Sequence, residues 1–421
     1  MSGNEKQPLV LRLRFPEFRE AEEWKLEPLG KLAKRRTVKN VGLEHTRVLT
    51  NSAEFGVLDQ RDYFEKDIAN QGNLEGYYIV EKGDYVYNPR ISASAPVGPI
   101  SKNNVGTGVM SPLYTVFRFD SSDNDFFAHY FKSTHWHQYM RQASSTGARH
   151  DRMSITNDDF MGLPLPISKP EEQQKIADCL SSLDDLIAAE TQKLDTLKTH
   201  KKGLMQKLFP REGETVPRLR FPEFSNAEDW KEWKVGELGN VITGNTPSTS
   251  KPQYYEGEYN FVSPADISDQ RFIESTKTTL SKLGFEQTRQ IPAGSVLFVC
   301  IGSTIGKVAQ NMYSCATNQQ INSLVPSSNF SGDFIYYLLL HESNRIAELA
   351  GNQAVPIVNK STFSDVSVLC PREKEEQERV AGYLGTLDDL IYAQTQKIDT
   401  LKTHKKGLMQ QLFPTLDEVP A

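Results

Sequence analysis

Asp195-Thr-Leu-Lys-Thr-His-Lys-Lys-Gly-Leu-Met-Gln-Lys-Leu-Phe-Pro210 returns near the other end of the chain as Asp399-Thr-Leu-Lys-Thr-His-Lys-Lys-Gly-Leu-Met-Gln-Gln-Leu-Phe-Pro414, with one change, Lys207 to Gln411. The repeat extends outward from these blocks. Leu183-Asp-Asp-Leu-Ile187 recurs as Leu387-Asp-Asp-Leu-Ile391, and Leu13-Arg-Phe-Pro-Glu-Phe18 as Leu219-Arg-Phe-Pro-Glu-Phe224. Ala21-Glu-Glu-Trp24-Lys25 likewise returns as Ala227-Glu-Asp-Trp230-Lys231. Between the repeated blocks, residues 30–165 and 235–368 share almost no identity. A duplicated enzyme is expected to repeat its chemical residues; this chain repeats a framework and varies what is mounted on it.

The repeated blocks carry a heptad. Ile176, Leu180, Leu183, Ile187, Glu190, Leu194, Leu197, Lys201, Leu204 and Leu208 step alternately by four and three, and Val380, Leu384, Leu387, Ile391, Gln394, Ile398, Leu401, Lys405, Leu408 and Leu412 follow the same grid. That spacing predicts two long helices with coiled-coil seams. Pro170 with Glu171 and Glu172 suits a helix start, and Pro210 a stop. The polar interruptions Glu190, Lys201, Gln394 and Lys405 are either register-setting pairs or side chains tolerated at the seam.

The order of the blocks suggests a closed arrangement. After Pro210 the chain runs through Glu214-Thr-Val-Pro217 into Arg218-Leu-Arg-Phe-Pro-Glu-Phe224; after Pro414 it runs through Asp417-Glu-Val-Pro420, and the next block in that order is Arg12-Leu-Arg-Phe-Pro-Glu-Phe18. A circular arrangement with a pseudo-two-fold axis and adjacent termini would follow, with the two helices antiparallel. The alternative is two tandem beads.

The variable halves read as mixed α/β domains. Short strands are expected at Gly76–Val80, Asp84–Tyr87, Leu113–Phe117 and Ser295–Val299, and helices near 125–141 and 333–349. From Tyr85 to Phe119, and again from Gln287 to Gly332, there is no Asp or Glu, although the chain has 54 of them in 421 residues. Two readings stand. Such stretches face something negative, as a phosphate backbone would be, or they are core segments that exclude acids for burial. The first makes Tyr87, Asn88, Arg90, Ser92 and Lys102 candidate contacts in one half, and Ser303, Thr304, Lys307, Asn318, Gln319 and Gln320 in the other. Asn and Gln can pair bidentately with adenine, and Arg or Lys with guanine. A later loop in each half, carrying Arg149 or Asn352 and Gln353, is a candidate second edge.

Composition narrows the remaining classes. The chain is 38% hydrophobic and 24% charged, as in a globular protein, with no apolar run of membrane-spanning length and a polar N-terminal segment; a cytoplasmic protein is expected. Its net charge of -6 disfavours a free-standing nucleic-acid binder, so local charge matters more. Cys179, Cys300, Cys315 and Cys370 form no C-x-x-C pair. Gly302-Ser-Thr-Ile-Gly306-Lys307 is one residue short of a phosphate loop, and Val308 replaces its Ser or Thr. Asn88-Pro89-Arg90 lacks the rest of an Asn-Pro-Pro-Tyr motif, and His129, His135 and His137 have no carboxylate or cysteine at ligand spacing. No metal site and no catalytic residue is predicted. A stand-alone nuclease and a purely protein-binding scaffold are the rival readings.

The duplicated helices, each opening just after a Pro-containing segment (Pro164-Leu-Pro166-Ile; Cys370-Pro371) and closing with Lys-Lys-Gly-Leu-Met-Gln-x-Leu-Phe-Pro, resemble the specificity subunits of type I restriction-modification enzymes over the whole chain. Phe261-Val-Ser-Pro264-Ala-Asp266-Ile and Asn318-Gln319-Gln-Ile-Asn322 look like recurrent elements of that family's target-recognition domains. The resemblance implies a mixed α/β fold with two globular target-recognition domains separated by two long antiparallel coiled-coil helices. Residues 1–168 and 211–370 would be the domains, 169–210 and 371–414 the helices, and 415–421 a tail. It further implies a non-catalytic subunit that reads a bipartite site on double-stranded DNA, the helices setting the spacer. Two methyltransferase (modification) subunits and two restriction (translocase/nuclease) subunits would be its partners. It would have no cofactor of its own, the partners using S-adenosylmethionine, ATP and magnesium. The base-reading residues lie in the variable regions and rest on the local argument alone.

Overall fold

A computed structural model describes residues 9, 11–63, 71–144, 151–351 and 356–414. The chain divides into two compact units, residues 1–189 with 399–421, and residues 190–398. The division falls inside the two long helices, Pro170–Leu208 and Lys374–Leu412, and not at their ends. Each unit is thus a mixed α/β domain together with part of each helix.

The reason is where the helix faces are buried. In the first unit Ile176, Ala177 and Leu180 share one core with Met409, Leu412 and Phe413 and with the domain's Trp24, Tyr85, Phe117, Phe126 and Phe160. In the second, Leu208 and Phe209 share a core with Val380, Ala381 and Leu384 and with Trp230, Val296, Phe298, Phe334 and Phe363. At roughly 1.5–3 kcal/mol for each large apolar side chain removed from water, these helix ends belong energetically to the domains.

The two domains share a sheet order despite their unlike sequences. In the first, Ala33–Arg35, Thr115–Phe119, Tyr85–Tyr87 and Ile100–Lys102 lie side by side, every pair antiparallel. In the second, Gly239–Thr243, Ile321–Pro326, Val296–Val299 and Val308–Asn311 lie in the corresponding order, again antiparallel, with Phe272–Ile273 added at the edge. A two-stranded ribbon closes each domain just before its long helix: Lys25–Pro28 with Pro164–Ile167, and Lys231–Lys234 with Ser367–Cys370. The expected strands at Asp84–Tyr87, Leu113–Phe117 and Ser295–Val299 lie within two residues of members of these sheets; Gly76–Val80 overlaps Tyr78–Val80, which pairs with Gly108–Met110 in a separate ribbon, and each expected helix is broken in two, Asp125–Tyr130 and His137–Ala143, Gly332–His341 and Ser343–Glu348.

The seam positions read from the heptad are the buried or half-buried ones on both helices. Within the second unit Lys201 pairs with Asp388 and Gln394 donates to Glu190, so the helices run antiparallel there. Within the first, Lys405 pairs with Asp184. All four polar interruptions therefore have a partner across the seam.

Candidate nucleic-acid interface

In the first domain Tyr85–Tyr87 leads into a loop, residues 88–99, that returns through Ile100–Lys102. Gly98 makes the return possible: it sits at φ 80°, and a Cβ there would lie 2.1 Å from the Asn88 carbonyl oxygen. The Asn88 side chain donates to the Asn51 carbonyl and accepts from the Arg90 amide, which fixes the loop's exit.

Residues 151–153, following the 145–150 segment, then pair with this loop. Ile91 N–H donates to Asp151 O and Met153 N–H to Pro89 O, both at 2.9 Å. That pattern makes Arg90 and Arg152 an antiparallel, non-hydrogen-bonded pair, whose side chains leave the backbone on one face, with Cα atoms only about 4.5 Å apart. Both arginines line a cleft of about 550 Å³ with Asn51, Ser52, Gln60, Ser92 and Tyr114; Glu54 is its acid.

The second domain repeats the geometry. Val296–Val299 leads into residues 300–307, and Gly302 N–H donates to Pro356 O while Val358 N–H donates to Cys300 O. Ile301 and Ile357 form the corresponding antiparallel pair. Beside them lie Asn318, Gln319 and Gln320: the Cys300 amide donates to the Gln320 carbonyl, and the Gln320 side chain reaches within 4.0 Å of the position a Cβ on Gly302 would take. Thr246 donates to the Gln319 side chain, and Asn318 and Gln320 bond each other. In each domain the acid-free segment thus pairs with the residues that follow the later loop, 151–153 and 356–358.

Several candidates fall elsewhere. Tyr87 is buried, stacked on Phe160 at 4.8 Å, and donates its hydroxyl to Val97 O; it props the loop from below and burial pushes its phenol up. Lys102 sits beside Tyr85, at the end of the strand away from the loop, and pairs with Asp125 at 2.6 Å, which neutralises it. Arg118, in the same acid-free stretch, pairs with Glu81 and Asp84. Lys307 turns its ammonium to the Ile267 carbonyl. Asn322 is buried, donating to the Cys300 sulfur and accepting from Thr243. Burial pushes that Cys300 thiol up to about 12, so it stays protonated. Arg90 and Ser92 line the first cleft; Ser303 is exposed and Thr304 half-buried in the second loop. Arg149, Asn352 and Gln353 lie outside the described residues.

Sequence reasoning missed Arg152, Ile301, Ile357 and Thr246, because a cross-strand pair separated by some sixty residues leaves no local pattern. A larger cleft in the first unit, about 710 Å³ at the start of the first long helix, is lined by Asp120, Asp123, Asp125, Glu171 and Asp178. Its charge opposes phosphate. The three histidines separate: His129 bonds Ser181, His135 bonds Ser133, and His137 packs edge-on to Trp136.

The geometry is that of a twofold-repeated framework bearing two dissimilar surface sites, and comparison with known proteins gives it a family. The family described as type I restriction modification DNA specificity domain matches residues 59–199 and 227–403, and the chain belongs to it. It is 27% identical to the HindI type I restriction enzyme specificity subunit of Haemophilus influenzae over 52% of this chain and 62% of that protein. It is also 27% identical to the MjaIX specificity subunit of Methanocaldococcus jannaschii, over 44% of each. These alignments span less than two thirds of either relative's length. The S subunit of a type I restriction-modification system from M. genitalium has a similar fold, with TM-score 0.59 and 13% identity over 97% of this chain and 100% of that one. No described helix is long and apolar enough to cross a membrane.

Proposed function

We propose that this chain is the sequence-reading subunit of a type I restriction-modification assembly, working on DNA in the cytoplasm. Each domain reads one half of a bipartite site through its loop-and-return surface. Arg90, Ser92 and Arg152 face DNA in one domain; Ser303, Thr304, Asn318, Gln319 and Gln320 do so in the other. The carrying observation is that two domains with one sheet order and one site geometry present different side chains, while the framework sequence is almost the same.

In this reading the long helices form an antiparallel coiled coil about a pseudo-two-fold axis. At roughly 1.5 Å per residue, each 39-residue helix is about 58 Å long. Repeated sequence on both halves suits two copies of each partner, two methyltransferase and two restriction subunits. The chain contributes no catalytic group. S-adenosylmethionine, ATP and magnesium serve those partners, whose basic surfaces would supply the phosphate contacts that a net charge of -6 lacks.

The test is binding by the complex of this chain with a type I methyltransferase subunit, at several salt concentrations, to a duplex carrying its site and to a scrambled duplex. A specific reader holds its site about 10³-fold or more tighter. Equal affinity for both duplexes would contradict the proposal.

A further inference from the structure

The two domains place a residue pair at the same point of the same fold and fill it with opposite chemistry. Arg90 and Arg152 in the first domain, and Ile301 and Ile357 in the second, are non-hydrogen-bonded cross-strand pairs made by the same two flanking backbone bonds. Each pair joins the loop leaving the third strand of the sheet to the segment returning from the later loop. Both are costly in the protein alone. Like charges directly opposite each other repel, and although Ile301 packs partly buried against the core, Ile357 beside it is left 43% exposed. Among the described residues, no acid other than the adjacent Asp151, 3.7 Å from Arg152, approaches the arginine pair closely enough to form an ion pair. Packing accounts for Ile301, but neither for the exposed Ile357 nor for two arginines set opposite each other; a ligand that differs between the two sites accounts for both.

We propose that this pair is the specificity position of each domain, reading base edges in the major groove. It rests on the DNA-reading role proposed above and assigns the chemistry of the two half-sites. Guanine offers O6 and N7 to a guanidinium, and thymine offers a C5 methyl to an apolar side chain. The first half-site therefore contains a guanine read by Arg90 or Arg152, and the second contains a thymine whose methyl group meets Ile301 or Ile357. Ser92 at the first site, and Gln319 and Gln320 at the second, place donors and acceptors for neighbouring bases beside the pair.

The experiment is genome-wide mapping of N6-methyladenine in cells expressing a type I methyltransferase subunit with the wild-type chain, Arg90→Gln, Arg152→Gln, and the double variant Arg90→Ile with Arg152→Ile. The wild-type motif should have a guanine in one half. Discrimination at that guanine should fall about ten- to a hundredfold in at least one arginine variant. The other half-site should stay as in the wild type, which also reports that the variant folds and assembles. An unchanged motif with uniformly weaker methylation would make the arginines phosphate contacts and overturn the assignment. So would loss of all methylation by every variant while the complex still assembles, or a change in both half-sites. A wild-type chain that directs no bipartite motif would instead sink the DNA-reading role itself, an outcome separate from these.

Discussion

Arg14 and Arg220 explain why Leu-Arg-Phe-Pro-Glu-Phe occurs twice. Arg14 makes two bonds, at 2.7 and 2.8 Å, to the buried carboxylate of Glu172 on the first long helix and caps the Ala21 carbonyl; Arg220 does the same with Glu376 and Ala227. Trp230 adds its indole N–H to Glu376, whereas that of Trp24 has no partner among the described residues. Removing one partner of a buried pair strands the other, so Glu172→Ala and Glu376→Ala should each cost about 3–5 kcal/mol in urea denaturation, Glu376→Ala more. Equal wild-type stability would show the latch to be incidental. His129 gives a pH test. Burial, reinforced by the charges of Lys405 and Lys132, pulls it down to about 4 from 6.5. The unfolded chain then binds the extra proton between those values, so stability falls as pH drops from about 6.5 to 4, by on the order of 2–3 kcal/mol. His129→Gln should flatten that limb of the stability profile. At this scale the sequence was only half legible. Arg90 and Ser92 could be picked from an acid-free stretch, but in a three-residue strand buried on both faces no alternation reveals that Tyr87 points inward.

The long helices were the most legible elements, because a seam repeated for more than four heptads is a long-range pattern written locally. Their polar interruptions were not, since only the fold decides between a pair and a tolerated side chain. Lys201 meets Asp388, which also accepts from the Tyr337 hydroxyl; Arg271 lies against the Tyr337 ring at 5.2 Å. In the first unit, Asp184 meets Lys405, with Lys132 at 3.4 Å. Burial would raise Asp184, but the Lys405 hydrogen bond and the Lys132 charge outweigh it, and its carboxyl lies below the usual range. Gly385 takes the place that Ser181 holds in the repeat: Ser181 bonds His129, whereas a Cβ at Gly385 would lie 3.5 Å from the Arg271 guanidinium. The framework thus varies where it touches the domain it carries. Asp388→Asn should cost about 1–3 kcal/mol, and adding Lys201→Met should cost less than the sum of the two single changes. Additive losses in a double-mutant cycle would mean the pair is not coupled. Strand order, by contrast, could not be read: pairing of Tyr85–Tyr87 with Thr115–Phe119 is non-local, and neither short run names its neighbour.

Across the whole molecule, the contrast between repeated framework and unlike domains was visible in the sequence before any coordinate. That contrast, more than any motif, carries the functional reading. Mixed α/β character, two domains and two long helices followed from it; the common sheet order, and the pairing of each acid-free segment with the residues after the later loop, needed the structure. If the domains are modular readers, replacing residues 30–165 by the corresponding segment of another family member should alter one half-site and leave the other. A change in both halves, seen by sequencing methylated DNA, would count against modularity. The most direct test of the central claim maps adenine methylation in cells carrying this chain with a type I methyltransferase subunit, and in cells carrying each alone. A bipartite motif that appears only when both are present is the predicted result; the same motif from the methyltransferase subunit alone would contradict it.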